Sequence, residues 1–211
     1  MKLGIALMSA AVLLSPAFAA AAPSPVPLSL GEAAEDLADT CSSGKTAEAR
    51  RLMAAAEAAL LRIPAPAEAG GRSGVNLALA DDLLGRAKEL CTRGASTSGA
   101  LAANQLMLVA LELEPPAEVL TARLVWFDYL AMDIVLRARL HGPYDRAVIE
   151  RRAASLTALW AVLRPGFAAH AKLAADGDAL AAEFGRPAKP DARARQAAKA
   201  ADFVDELEKA K

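Results

Sequence analysis

Between residues 124 and 136 the chain reads LVWFDYLAMDIVL, an apolar run interrupted only by Asp128 and Asp133. It lies inside the longer stretch 116–142, PAEVLTARLVWFDYLAMDIVLRARLHG. A helix that is apolar on nearly every side has to be buried on nearly every side. Spanning a bilayer takes about 20 predominantly apolar residues, and this run is shorter and broken by charge. The stretch therefore predicts the buried central helix of a helical domain.

The first residues read MKLGIALMSAAVLLSPAFAAAAP. Lys2 supplies a short positive region, residues 3–14 an apolar core, Pro16 a helix break, and Ala17-Phe18-Ala19 an A-x-A cleavage site. Together they predict a secretory signal peptide over 1–19, cut after Ala19, and a flexible leader over 20–27. No cysteine follows the cleavage site, so nothing points to a lipid anchor. The leader and the alanine-rich body fit a periplasmic bacterial protein, or a secreted one. With 24 basic and 25 acidic side chains, the chain has no electrostatic case for nucleic acid or an anionic membrane. No later segment reads as a membrane span, so no membrane insertion is expected after cleavage.

Cys41 and Cys91 are the only cysteines. In an exported chain, two cysteines favour a disulfide. Each stands three residues before a glycine, Gly44 and Gly94, and so at the same place relative to a turn. Closing a loop of this size restrains the unfolded chain by about 4 kcal/mol in the entropy model.

Periodicity predicts an all-α fold of about seven to eight helices, forming a bundle or a short array of αα-hairpins, with no strand pattern. Helices are expected over about 29–41, 46–62, 75–92, a fourth ending at 113, the central helix from 116, a sixth carrying Ile149, Ala153, Leu156, Trp160 and Leu163, a seventh, and a tail. A proline- and glycine-rich linker is read over 63–74, within a single helical domain 28–186. Asn104 and Gln105 read as a solvated edge. Glu150, Arg151 and Arg152 fall mostly outside the sixth helix's apolar stripe. Asp176-Gly177-Asp178 reads as a kink or break, and the tail helix over 187–211 as the most frayed element.

Gly44, Gly94 and Gly142 recur at intervals of about 50 residues, each between two expected helices. Gly44-Lys-Thr-Ala-Glu-Ala49 and Gly142-Pro-Tyr144-Asp-Arg-Ala147 share a G-x-x-x-x-A arrangement, and Ala103, Met107, Ala110 and Pro115 follow the pattern of a second helix with a terminal proline. These pieces resemble the helix-turn-helix of tetratricopeptide repeats, over about half of the chain after the leader. The period departs from that family's 34 residues, and Gly99 stands where the second unit should have alanine. The resemblance implies a concave surface that binds a peptide or protein.

Candidate chemistry is sparse. Asp128 and Asp133 are five residues apart, about 140° around a helix, and cannot share a site unaided. Asp133 has Arg137 at i+4 in the favourable order; Asp128 has no such partner. His141 suits a helix C-terminus, and His170 falls on the apolar side of its helix. No recognised metal-ligand spacing, phosphate-binding loop or nucleophile motif occurs, so neither a metal nor a cofactor is expected. Trp126, Asp128, Tyr129, Trp160 and His170 are the candidate ligand-binding set, the aromatics suggesting an apolar pocket between helices. The leading expectation is a non-catalytic exported scaffold or interaction protein with a protein or peptide partner. A carrier or sensor of an apolar small molecule comes second, and an enzyme using Asp128 or His170 third.

Overall fold

The computed structural model describes residues 28–66, 71–142 and 145–211. The expected signal peptide and leader lie outside the described residues, as does Tyr144 of the third glycine turn. Eight α-helices are present among the described residues: α1 Leu30–Ser42, α2 Thr46–Arg62, α3 Arg72–Thr92, α4 Ser96–Leu113, α5 Val119–Leu140, α6 Asp145–Leu163, α7 Ala171–Phe184 and α8 Pro190–Ala210. A 3-10 turn, Arg164–Phe167, joins α6 towards α7. There is no strand among these residues, and the fold is all-α.

The helices form two groups of four. In the first, α1 packs against α2 and α4, and α3 closes the group against α4 and α2. In the second, α5 packs against α6 and α8, with α7 bridging those two. Contact between α4 and α5 joins the groups, and a continuous apolar core runs through both. Helix α1 shows how local sequence sets this up. Ser29 and Glu32 form a reciprocal capping box at its start, and Leu30, Ala33, Ala34, Leu37, Ala38 and Cys41 are buried at helical spacing.

The first group is built from two matching hairpins. Gly44 and Gly94 both adopt positive φ, 72° and 81°, where glycine has no Cβ penalty. At the first turn Gly44 N–H donates to Cys41 O and Lys45 N–H to Thr40 O; at the second, Gly94 N–H donates to Cys91 O and Ala95 N–H to Leu90 O. Both are Schellman caps, and each places its cysteine at the same position in the last helical turn. Cys41 and Cys91 form the expected disulfide, with Cα atoms 5.7 Å apart. Gly99 is the place where α4 passes the bridge. A Cβ there would stand 2.5 Å from Cys91 Sγ and 2.9 Å from Cys41 Sγ, so the residue that departs from the repeat pattern makes room for the bridge.

Several expectations need correction. Helix α5 starts at Val119 rather than Pro116, because residues 115–118 run in a non-helical connection. Helix α3 begins at Arg72, which shortens the linker read over 63–74. The third turn also differs: the left-handed residue is His141 (φ 55°), and Gly142 N–H donates to the Asp145 carboxylate at 2.7 Å. Asn104 is buried and donates to Tyr129 O at 3.1 Å, so it is no solvated edge. Helix α7 runs unbroken through Gly177, where a Cβ would collide with the Trp160 indole. That glycine serves close helix approach, not a kink. Helix α8, read as the most frayed element and as burying little beyond Phe203, Val204 and Leu207, buries these three and also Arg193, Ala197 and Ala200, and packs along α5.

The bridge and its glycine predict a paired result. Gly99→Ala should lower the stability of the oxidised protein by about 1–3 kcal/mol through overpacking. Gly85→Ala, where a Cβ meets nothing within 4 Å, should raise stability by up to about 1 kcal/mol through helix propensity. Urea denaturation under non-reducing conditions measures both.

Candidate functional site

Helix α5 carries the two carboxylates that its apolar sequence makes conspicuous, and they have opposite surroundings. Asp133 is fully buried. Its Oδ2 accepts from Arg137 Nε at 2.8 Å, the expected i+4 pair, and from Arg152 Nε at 3.0 Å. Arg137 also donates to Asp145 at 3.2 Å, and Arg152 to the Tyr129 hydroxyl at 3.0 Å. The Arg152 guanidinium lies 5.4 Å from the Tyr129 ring centre, a cation–π distance. Arg152 is thus part of the packing between α5 and α6, although its sequence position placed it outside the α6 stripe. Asp133 Oδ1 has no hydrogen-bond partner among the described residues.

Asp128 points to the other side of α5, where α1 and α8 flank it. It lies half-buried in a groove of about 270 Å³ lined from α1 by Glu35, Asp39 and Ser42, from α5 by Asp128, Met132, Val135 and Arg139, and from α8 by Ala198, Ala201, Asp202 and Asp205. Asp36 and Glu208 add charge to the same field. Helical spacing explains the convergence: 35 and 39 are one turn apart on α1, and 202, 205 and 208 follow one face of α8. None of these seven carboxylates has an ion-pair partner among the described residues.

Burial and then crowding shift the titration of three of them. Burial, then the charges of Asp39, Asp205 and Glu208, push the Asp128 carboxyl up to about 7. Burial, then Asp128, Glu208, Asp36 and Asp39, push Glu35 up to about 8, although its side chain reaches the solvent-exposed rim. Asp39, exposed at the rim, is raised too, by partial desolvation and then by Asp36 and Asp205. Where Glu35 stands, a second depression of about 200 Å³ continues between α1, α4 and α5, with Gly31, Met107, Ala110, Leu111 and Val125 in its lining. An acidic groove therefore adjoins an apolar one.

The other sequence candidates do not gather there. Trp160 is buried. Its Nε1 donates to Asp178 at 2.9 Å, its ring meets Phe203 edge-on at 5.6 Å, and Gly177 abuts its face. Asp178 also holds Arg164 at 2.7 Å, so this indole ties α6, α7 and α8 together. Tyr129 is buried in the Asp133 cluster. Trp126 is 40% exposed, a departure from the burial expected all round α5. His170 precedes α7 as an exposed residue, contrary to its expected apolar side. Trp126, Tyr129, Trp160 and His170 line none of the five principal cavities, and Asp128 alone of the candidate set faces one. No group of three or more acidic, histidine or cysteine side chains among the described residues is placed to hold a metal ion.

Sequence reading missed Glu35, Asp39, Asp202 and Asp205. Their one-face spacing was readable within each helix, but their meeting depends on α1 and α8 both flanking α5. No protein-family model, curated protein or solved structure matches the chain.

The raised Asp128 carboxyl has a defined linkage. Because its folded value lies above the ordinary value of 3.8, the native state holds more protons than the unfolded state between about pH 4 and pH 7, and stability falls as pH rises through that window. Asp128→Asn removes the penalty. It should stabilise the protein by about 2 kcal/mol at pH 8 and have little effect at pH 4, as read from denaturant midpoints at the two values.

Proposed function

We propose that this is an exported, non-catalytic interaction protein, and that the groove between α1, α5 and α8 receives a basic segment of a protein partner. The observation that supports this most is the set of carboxylates without ion-pair partners on both walls of one groove, beside an apolar depression. Charge complementarity would supply lysine and arginine with several acceptors at once and relieve the repulsion among them. Apolar side chains of the same segment would enter between Met107 and Val125. The net charge of −1 makes the acidity a local feature of this face rather than a property of the whole chain.

Export is supported by the signal-like first 19 residues, by the disulfide, and by the lack among the described residues of any helix long and apolar enough to cross a membrane. A periplasmic location fits these features. The resemblance to tetratricopeptide hairpins points the same way, towards peptide binding. The carrier reading is less favoured, since Trp126, Tyr129 and Trp160 have separate surroundings.

A peptide array tests the proposal. Immobilised 12-residue peptides graded in lysine, arginine and leucine content are probed with the purified protein. Binding should rise with combined basic and apolar content, fall with salt, and weaken about tenfold in Glu35→Lys and Asp205→Lys. Binding that ignores peptide charge, or basic-peptide binding untouched by either substitution, would overturn it.

A further inference from the structure

The acidic groove lies on the boundary between the two helix groups. Helix α1 belongs to the first group, α5 and α8 to the second. Backbone packing between the groups runs chiefly through α4 and α5; α1 has no comparable packing against either α5 or α8. At the disulfide end this joint also takes in the last turn of α1, since Cys41 packs with Ala100 of α4 and Leu136 of α5, with the groove residue Met132 alongside. The boundary thus has a fixed apolar edge at α4–α5 and an edge where carboxylates from the two groups face one another.

We propose that this boundary is a pH-operated cleft, in which α1 and α8 draw together when Glu35 and Asp128 are protonated and spread apart when these two are ionised, with the α4–α5 contact as the hinge. The groups that share the groove or its field with Asp128 are Glu35 and Asp39 from α1 and Asp202, Asp205 and Glu208 from α8, while Asp36 adds its charge at Glu35. Arg139 of α5 is the single basic residue in the lining, and α4 and α6 contribute no side chain to it. One guanidinium among five carboxylates in the lining leaves a net repulsion, which acts across the edge with least packing. Protonation of Asp128 and Glu35 lowers that repulsion and lets each donate a hydrogen bond to a neighbouring carboxylate. Asp128 and Glu35, raised to about 7 and about 8, place the transition between mildly acidic and mildly alkaline conditions.

As regulation of partner binding, this rests on the docking reading above: the groove would be open and charged near pH 8 and closed near pH 5. The conformational response itself needs no partner. Hydrogen–deuterium exchange of the full mature chain alone, at pH 5 and pH 8 and corrected for intrinsic exchange, therefore tests it separately from the array. Peptides from α1 and α8 should exchange about tenfold faster at pH 8, with α3 and α6 unchanged. Glu35→Gln combined with Asp128→Asn should abolish the difference. Should that double variant not fold, Asp205→Asn, on the exposed face of α8, should reduce the difference instead. Equal protection of α1 and α8 at both pH values would overturn the cleft, and so would an equal loss across all helices. Basic-peptide binding could then still stand.

Discussion

Helix α5 packs on α4, α6 and α8, and its apolar length carries two carboxylates that have to be accommodated. The molecule treats them differently. Asp133 meets two guanidinium groups, one from its own helix and one from α6, and Tyr129 and Asp145 hold those arginines in turn. Removing one member of such a buried pair typically costs about 3–5 kcal/mol, because the remaining charge loses its partner. Asp128 has no such support. It faces the seam where α1 and α8 bring further carboxylates, and its burial and their charge raise its titration into the neutral range. One acid fixes α6 on α5; the other loads a boundary.

The rest of the architecture keeps that boundary in place. Two matching Schellman turns bring Cys41 and Cys91 to the same end of the first helix group, and Gly99 lets α4 pass against the resulting bridge. In the second group Trp160 spans three helices: it packs on Gly177 of α7, meets Phe203 of α8 and donates to Asp178. Both groups are therefore internally braced, by a covalent bond in one case and by an aromatic wedge in the other. What is left less constrained is the edge between them that lacks helix-on-helix packing.

The fold class, the central helix, the disulfide and the Asp133–Arg137 pair were legible because each rests on local spacing: apolar periodicity, a turn glycine three residues after each cysteine, and an i+4 pair. The candidate groove was not. Glu35 and Asp205 are separated by most of the chain, and each alone reads as an ordinary solvated helix face. The aromatic residues misled for a related reason. Trp126, Tyr129 and Trp160 look like one cluster in the sequence pattern, but Trp126 turns outward, while the two buried rings have their polar atoms bonded to Arg152 and Asp178. Gly177 shows the same limit, since a glycine between two aspartates reads as a break until its neighbour across the helix interface is known.

The central claim is that burial, together with a shared field of carboxylates, raises the Asp128 carboxyl to about 7. Carbon-13 NMR titration of the aspartate and glutamate side-chain carboxyls, with Asp128 assigned by its Asn variant, measures this directly. The midpoint is expected at about 7, moving downward when Asp205 or Asp39 is neutralised. A midpoint close to the ordinary aspartate value of about 4, unmoved by those substitutions, would contradict it.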